Sequence, residues 1–295
     1  MSCAFTLERK GVAICMADSV EWRKYGKYLM PDTLPHENVE VDEREIRKKI
    51  RENKIFYARW TNNFDCQNGE YWYVIKDNPP SFEELSSKTR YRVRKGFRDN
   101  EPLKVDVSFI RENCYEVYRT AVESYEGKVI INSREEFERD LDNVSKKWNC
   151  EFFAVLEKES QKPACYAINI IEDNICLYST IKISPEFRKN YCGYALIFFM
   201  NDHYLNGRGF RYVSDGARSL YHVTNIQSFL VERFLFRKAY CRLNVVYSPG
   251  IGLLVRLAYP FRKMFMKSGN SYLYLLSGLL KHEEIMRIQR RSGIK

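Results

Sequence analysis

ICLYSTIKISPEFRKNYCGYALIFFMNDHYLNGRGFRYVSDGARSLYHVTNIQSFLVERFLF, residues 175–236, decides the fold. Its opening, Ile175–Ile183, is apolar and β-branched and reads as a strand. Ser184–Gly193 is a short polar loop, Tyr194–Leu205 a helix, Phe210–Asp215 a second strand and Val223–Phe236 a second helix. A loop with Arg188, Lys189 and Gly193 directly before a helix is a place where backbone N–H groups hold a phosphate.

Upstream, Glu151–Leu156, Ala164–Ile171 and Ile175–Ile183 form a three-strand meander. Its turns, Lys158–Pro163 and Asp173-Asn174, are rich in turn formers. Before it, Leu103–Phe109 alternates like a strand, and Ile110–Tyr125 has helical periodicity. Ser133–Trp148 is a further helix, with Ser133 and Glu136 placed as a capping box. After it, Tyr240–Tyr247 is the last strand. The order from 103 to 247 is therefore β-α-α-β-β-β-α-β-α-β.

The first hundred residues read less regularly. Lys54–Trp60 and Tyr71–Lys76 look like strands, and Asp42–Asn53 like a helix begun by Asp42 and Glu45. Pro79 and Pro80 interrupt the chain. Ser81–Asp99 reads as a helix with Ser81 and Glu84 as its capping box. Lys88, Arg90, Arg92, Arg94, Lys95 and Arg98 crowd its far end. Such cations match the helix macrodipole and can simply face water; alternatively they clamp an anionic substrate.

At 295 residues the chain suffices for one large domain or two small ones, and 45% apolar with 29% charged residues is an ordinary globular composition. The net charge of +10 favours an anionic partner: a phosphorylated metabolite, nucleic acid or a membrane surface. A basic protein with no such partner is the alternative. Nine cysteines without a CxxC pattern, and four histidines without metal spacing, point to reduced thiols and no metal. With no signal pattern and no spanning apolar run, a cytoplasmic location is expected. Residues 248–295 hold nine Lys or Arg against two acids, so most of the net charge lies there. Leu253, Leu254, Leu257, Phe261, Met264 and Phe265 accompany those cations. Such a basic amphipathic tail lies on anionic lipid or RNA, or packs one face on its own domain.

The β-α-α-β-β-β-α-β-α-β order over about half of the chain resembles that of the GNAT acyltransferase superfamily. The resemblance implies a mixed, mainly antiparallel sheet flanked by helices. It implies that the fourth and fifth strands splay, so that the pantetheine arm of an acyl-CoA enters between them. Backbone groups of Tyr178–Ile183 would pair with that arm, and an N–H near Ser179, Thr180 and Ile181 would face the developing oxyanion. The family's phosphate motif falls on Asn190, Gly193 and Ala195, preceded by Arg188 and Lys189. Asn225, at the start of the last helix, would contact the pantetheine or cap the helix. Val231 stands where the family carries a tyrosine acid, and Leu235 where it carries glycine, so Tyr178, Tyr191 and Tyr194 become alternative proton donors. Asp215, Glu123 and Glu126 are candidate bases.

The chain resembles most the Fem-like branch of peptidoglycan aminoacyl transferases, in which an Arg/Lys-rich segment, here TRYRVRKG at 89–96, joins two GNAT-like halves. This implies a reduced first half over 1–100, a GNAT-like domain over 101–247 and a basic helical tail over 248–295. Arg90, Arg92, Arg94 and Lys95 would bind substrate. Three readings follow. The first is an acyl-CoA-dependent enzyme with acetyl-CoA as donor, no metal, and a small-molecule or nucleotide-sugar acceptor of cell-envelope or polysaccharide synthesis. The second is an aminoacyl transferase using charged tRNA. The third is a non-catalytic module that binds an anionic partner, a membrane surface among them, through 248–295.

Overall fold

Pro163–Glu172, PACYAINIIE, is buried at every position from Ala164 to Ile171. A strand apolar in both side-chain directions has to be covered on both faces, and the rest of its unit is arranged to do so. The computed structural model describes residues 12–17, 20–125, 130–220, 225–265 and 271–292.

In chain order the elements begin with β1 (Val12–Ala17), β2 (Val20–Tyr25), β3 (Tyr28–Pro31), α1 (Glu43–Glu52), β4 (Tyr57–Cys66) and β5 (Tyr71–Lys76). Next come α2 (Ser87–Asp99), β6 (Asn100–Val105), α3 (Val107–Asn113), α4 (Tyr115–Glu123) and α5 (Arg134–Lys147). Then follow β7 (Cys150–Glu157), β8 (Pro163–Glu172), β9 (Ile175–Ile183), a 3-10 turn Pro185–Asn190 and α6 (Cys192–Asn201). A π-helical turn Asp202–Gly207, β10 (Tyr212–Ala217), α7 (Asn225–Phe234) and β11 (Arg237–Tyr247) lead to α8 (Pro249–Ala258), α9 (Arg262–Phe265) and α10 (Ser271–Arg291).

The chain divides into two compact units. Among the described residues the first holds 74–125, 130–216 and 225–237, and the second holds 12–17, 20–73, 217–220, 238–265 and 271–292. In the first, the strand order is β10-β9-β8-β7-β6, antiparallel except for the parallel β10/β9 pair. Ile110, Val117, Phe137 and Leu141 of α3–α5 pack on Phe152, Ala154, Tyr166 and Ile168. Phe153 points the opposite way, as alternation along a strand requires, and meets Phe199 and Tyr204. Helices therefore cover both faces of β7 and β8. In the second unit the order is β1-β2-β3-β4-β11, antiparallel except for β3/β4. Its core gathers Trp22, Leu29, Ile46, Ile50 and Trp60, with Trp22 and Trp60 edge to face at 6.0 Å.

Local chemistry explains where elements begin. α5 starts on the expected capping box, Ser133 and Glu136 each satisfying the other's backbone N–H, and ends on Lys146 and Lys147. α2 does not start at Ser81: the Ser81 hydroxyl and carboxylate of Glu83 close a local turn at 2.5 Å, and Ser86 caps the helix instead. The single helix expected over 110–125 is two helices, broken at Cys114. The loop expected over 184–193 is mostly a 3-10 turn that runs almost directly into α6. The basic segment 89–96 lies within the first unit, in α2.

Candidate functional site

β9 runs antiparallel to β8, with Ile183 opposite Cys165, Thr180 opposite Ile168 and Tyr178 opposite Asn169. Ser179 has no residue opposite it and is the extra residue of a β-bulge. Such a bulge bends its strand and re-aims the backbone groups beside it. On its other side β9 pairs with β10 over only three positions, Ile175–Leu177 against Tyr212–Ser214. The β9/β10 pairing therefore ends at Leu177, whereas β9 runs on along β8 to Ile183.

Asp215 follows Ser214, the last residue of β10 paired with β9, and is buried. Burial pushes its carboxyl up to about 7, against a smaller opposing effect of a hydrogen bond from Gln227 of α7. Tyr178 is equally buried, but its hydroxyl donates to Asn201 Oδ1 at 2.7 Å. Burial also raises this phenol well above its ordinary range. Its ring lies 6.2 Å from Phe236. Thr180 and Ile181 are half-buried, and Ser179 is buried.

The other end of β9 leads into the first turn of α6. Tyr191 precedes that helix in the left-handed region, φ 55°, and no side chain caps the turn. The amides of Tyr194 and Ala195 bond to the Tyr191 carbonyl. At Gly193 an added Cβ would lie 2.6 Å from Ile183 Cδ1, so the helix start and the end of β9 approach as only glycine allows without displacing Ile183. Cys192 is buried here; a hydrogen bond with the Cys165 thiol, and then the Gly193 amide, hold its pKa down, while burial drives Cys165 up.

Of the basic residues in α2, the fold brings Arg92 to this turn. Its Nη1 donates to the Tyr194 hydroxyl at 2.6 Å, and its guanidinium lies 5.5 Å and 5.4 Å from the Tyr191 and Tyr194 ring centres. Arg90 turns back to the carbonyls of Glu83 and Leu85. Arg94 lies over the Phe82 ring, and Lys95 pairs with Asp99. The Arg188 guanidinium donates to Ser124 Oγ at 2.8 Å, and Lys189 is exposed. Asn190 is held through its backbone: its carbonyl accepts from Asn100 Nδ2 at 2.9 Å, which also donates to Gly96. Glu123 is on the surface of α4, paired with Arg119. Glu126 and the side chain of Asn225 lie outside the described residues.

Asn100, which no sequence pattern singles out, meets this turn through the Asn190 carbonyl, and Tyr194 meets Arg92. Leu235 adopts φ 59° directly after α7. Among the described residues, no group of three or more His, Cys, Asp or Glu is placed to hold a metal.

No family profile matches the sequence, and no curated protein matches it. Solved structures do. The C-terminal domain of a putative lysylphosphatidylglycerol synthetase from Agrobacterium fabrum superposes with a TM-score of 0.53 at 12% identity, over 86% of this chain and 90% of that one. FemX superposes with a TM-score of 0.56 at 10% identity, over 85% of this chain and 92% of that one. A tandem GNAT protein from the clavulanic acid biosynthesis pathway matches more loosely, at 0.45 and 11% identity, over 77% and 78%. At these identities the likeness is one of fold. The chain shares the fold of FemX and of that synthetase domain, a mixed and mainly antiparallel arrangement of strands flanked by helices.

Proposed function

We propose that the protein is an acyltransferase that takes an acyl group from acyl-CoA, acetyl-CoA in the first instance, and delivers it to an amine or hydroxyl. The observation that carries this reading is the three-residue β9/β10 pairing beside the bulge at Ser179. An extended pantetheine arm would continue the ladder where that short pairing ends, as a further strand would. The donor supplies an activated acyl group; the chain's own groups do the rest. Backbone amides around Ser179–Ile181 polarise the carbonyl. The start of α6, with Arg92 and Arg188 nearby, holds the pyrophosphate. Asp215, with a carboxyl titrating at about 7, takes the proton of the acceptor. Calorimetric titration with acetyl-CoA and longer acyl-CoAs tests this. Binding is expected for the wild type and not for a folded Gly193→Trp variant, whose indole fills the approach to α6. No binding of any acyl-CoA by the wild type sinks the proposal.

A second reading, transfer from aminoacyl-tRNA, is favoured by the +10 charge together with the likeness to FemX over 85% of the chain. It requires tRNA binding that weakens steeply with salt, because phosphate contacts release counterions. A flat salt response rules it out.

A further inference from the structure

Residues 248–265 carry a feature that acyl transfer does not use. One side of this segment is anchored: Val255 and Ala258 of α8 pack with Tyr57, Leu279 and Leu280. The other side is apolar and exposed. Leu253, Leu254, Leu257, Phe261 and Met264 keep 59%, 46%, 65%, 61% and 71% of their surface in water. Their spacing of one, three, four and three residues puts them along one side of the helical segment that runs from α8 through Tyr259–Phe261 into α9. A single exposed leucine needs no explanation, but a contiguous stripe on an anchored helix marks an interaction surface.

Charge identifies the partner. The stretch 248–265 contains Arg256, Arg262 and Lys263 and no acid. Arg262 is held by Glu284 at 2.8 Å and stacks on Tyr259, while Arg256 and Lys263 are exposed beside the apolar stripe. An RNA surface would want aromatic platforms between the cations, and here four of the five exposed side chains are Leu or Met. Aliphatic side chains flanked by cations match acyl chains below anionic headgroups.

We infer that this face docks the protein on an anionic lipid bilayer. Leu253, Leu254, Leu257, Phe261 and Met264 enter the headgroup–acyl boundary, and Arg256 and Lys263 lie among the phosphates. The anchoring of Val255 and Ala258 means that the surface is formed before contact and need not fold on the membrane. No helix among the described residues is long and apolar enough to cross a bilayer, so the contact made by this face is peripheral.

Co-sedimentation of the full chain with vesicles tests this, without acyl donor, so its outcome is separate from that of the catalytic reading. Vesicles of phosphatidylcholine mixed with phosphatidylglycerol are expected to bind at least about tenfold more tightly than phosphatidylcholine alone. The double variant Leu257→Asp/Phe261→Asp should lose at least about tenfold, and Arg256→Gln/Lys263→Gln should lose most of the preference for the anionic vesicles. Tyr91→Asp, at a side chain 60% exposed in α2, should bind as wild type does. All variants change exposed side chains, and melting curves verify that they fold. Three results overturn the inference: no vesicle binding by the wild type, undiminished binding by the folded Leu257/Phe261 variant, or a dimer or RNA complex that this variant abolishes while vesicles are ignored.

Discussion

A Cβ added at Gly96 would stand 2.7 Å from the carbonyl oxygen of Tyr191 and 3.1 Å from Ala195 Cβ. The atom in the way is backbone, so it cannot swing aside. α2 lies against the first turn of α6 at this point, and the pair positions Arg92 over the same turn. Gly96→Ala should therefore destabilise the protein by about 1–3 kcal/mol through overpacking, despite the better helix propensity of alanine. Gly250→Ala in α8 is the control: nothing lies within 4 Å of its added Cβ. It should be neutral or stabilising by up to about 1 kcal/mol. Urea unfolding of both variants checks the contrast; a stabilised Gly96→Ala would contradict the close approach.

Arg92 and Arg94 are two residues apart, but only Arg92 reaches the start of α6. A charge-assisted contact to a phosphate is worth about 1.5–3 kcal/mol. Arg92→Ala should therefore weaken donor binding by at least about tenfold, and Arg94→Ala by less than about twofold. Calorimetry with the preferred donor measures both, and equal losses would show that the cluster acts only as a diffuse field.

The Asp215 carboxyl sits at about 7, above its unfolded value of 3.8. The folded state therefore holds its proton where the unfolded state releases it. This contribution to stability is fully present below the unfolded pKa and is lost as pH rises towards 7, by an amount on the order of a few kcal/mol. Asp215→Asn should flatten that part of the stability–pH curve. As a general base the ionised form is the active one, so kcat/KM should climb through about pH 7, and Asp215→Asn should cost about 100-fold or more. An unchanged pH profile in the variant removes Asp215 from the chemistry.

Leu235 occupies the left-handed region at φ 59° with 45% of its surface exposed. A non-glycine residue there costs roughly 1–2 kcal/mol. Leu235→Gly should recover about 1 kcal/mol, partly offset by the larger entropy of the unfolded chain. A lowered urea midpoint would mean that the Leu235 side chain contributes more by packing than its conformation costs.

β9 was legible to the residue, because its apolar run is bounded by Asp173-Asn174 and Ser184-Pro185. The small residues Gly193 and Ala195 pointed to a turn into a helix, but that helix begins at Cys192, two residues before the Tyr194 start expected from the pattern. The bulge at Ser179 was not legible, since no glycine or proline accompanies it. The start of α2 was misplaced because Ser81 and Glu83 satisfy each other in a turn that imitates a cap. The partners of the α6 turn come from far away in sequence: Arg92 is 102 residues from Tyr194, and Asn100 is 90 from Asn190. No local pattern encodes such contacts. Within α2 the run of cations is uniform, so only the fold distinguishes Arg92 from its neighbours.

The short β9/β10 pairing has a consequence for stability. Beyond Leu177 the β9/β10 ladder ends, and under the proposed function the extended arm of the donor would continue it. A ligand that fills that place thus acts as a chaperone as well as a reactant. The protein's stability and half-life should track the concentration of its own donor, by the same mass action that sets its occupancy.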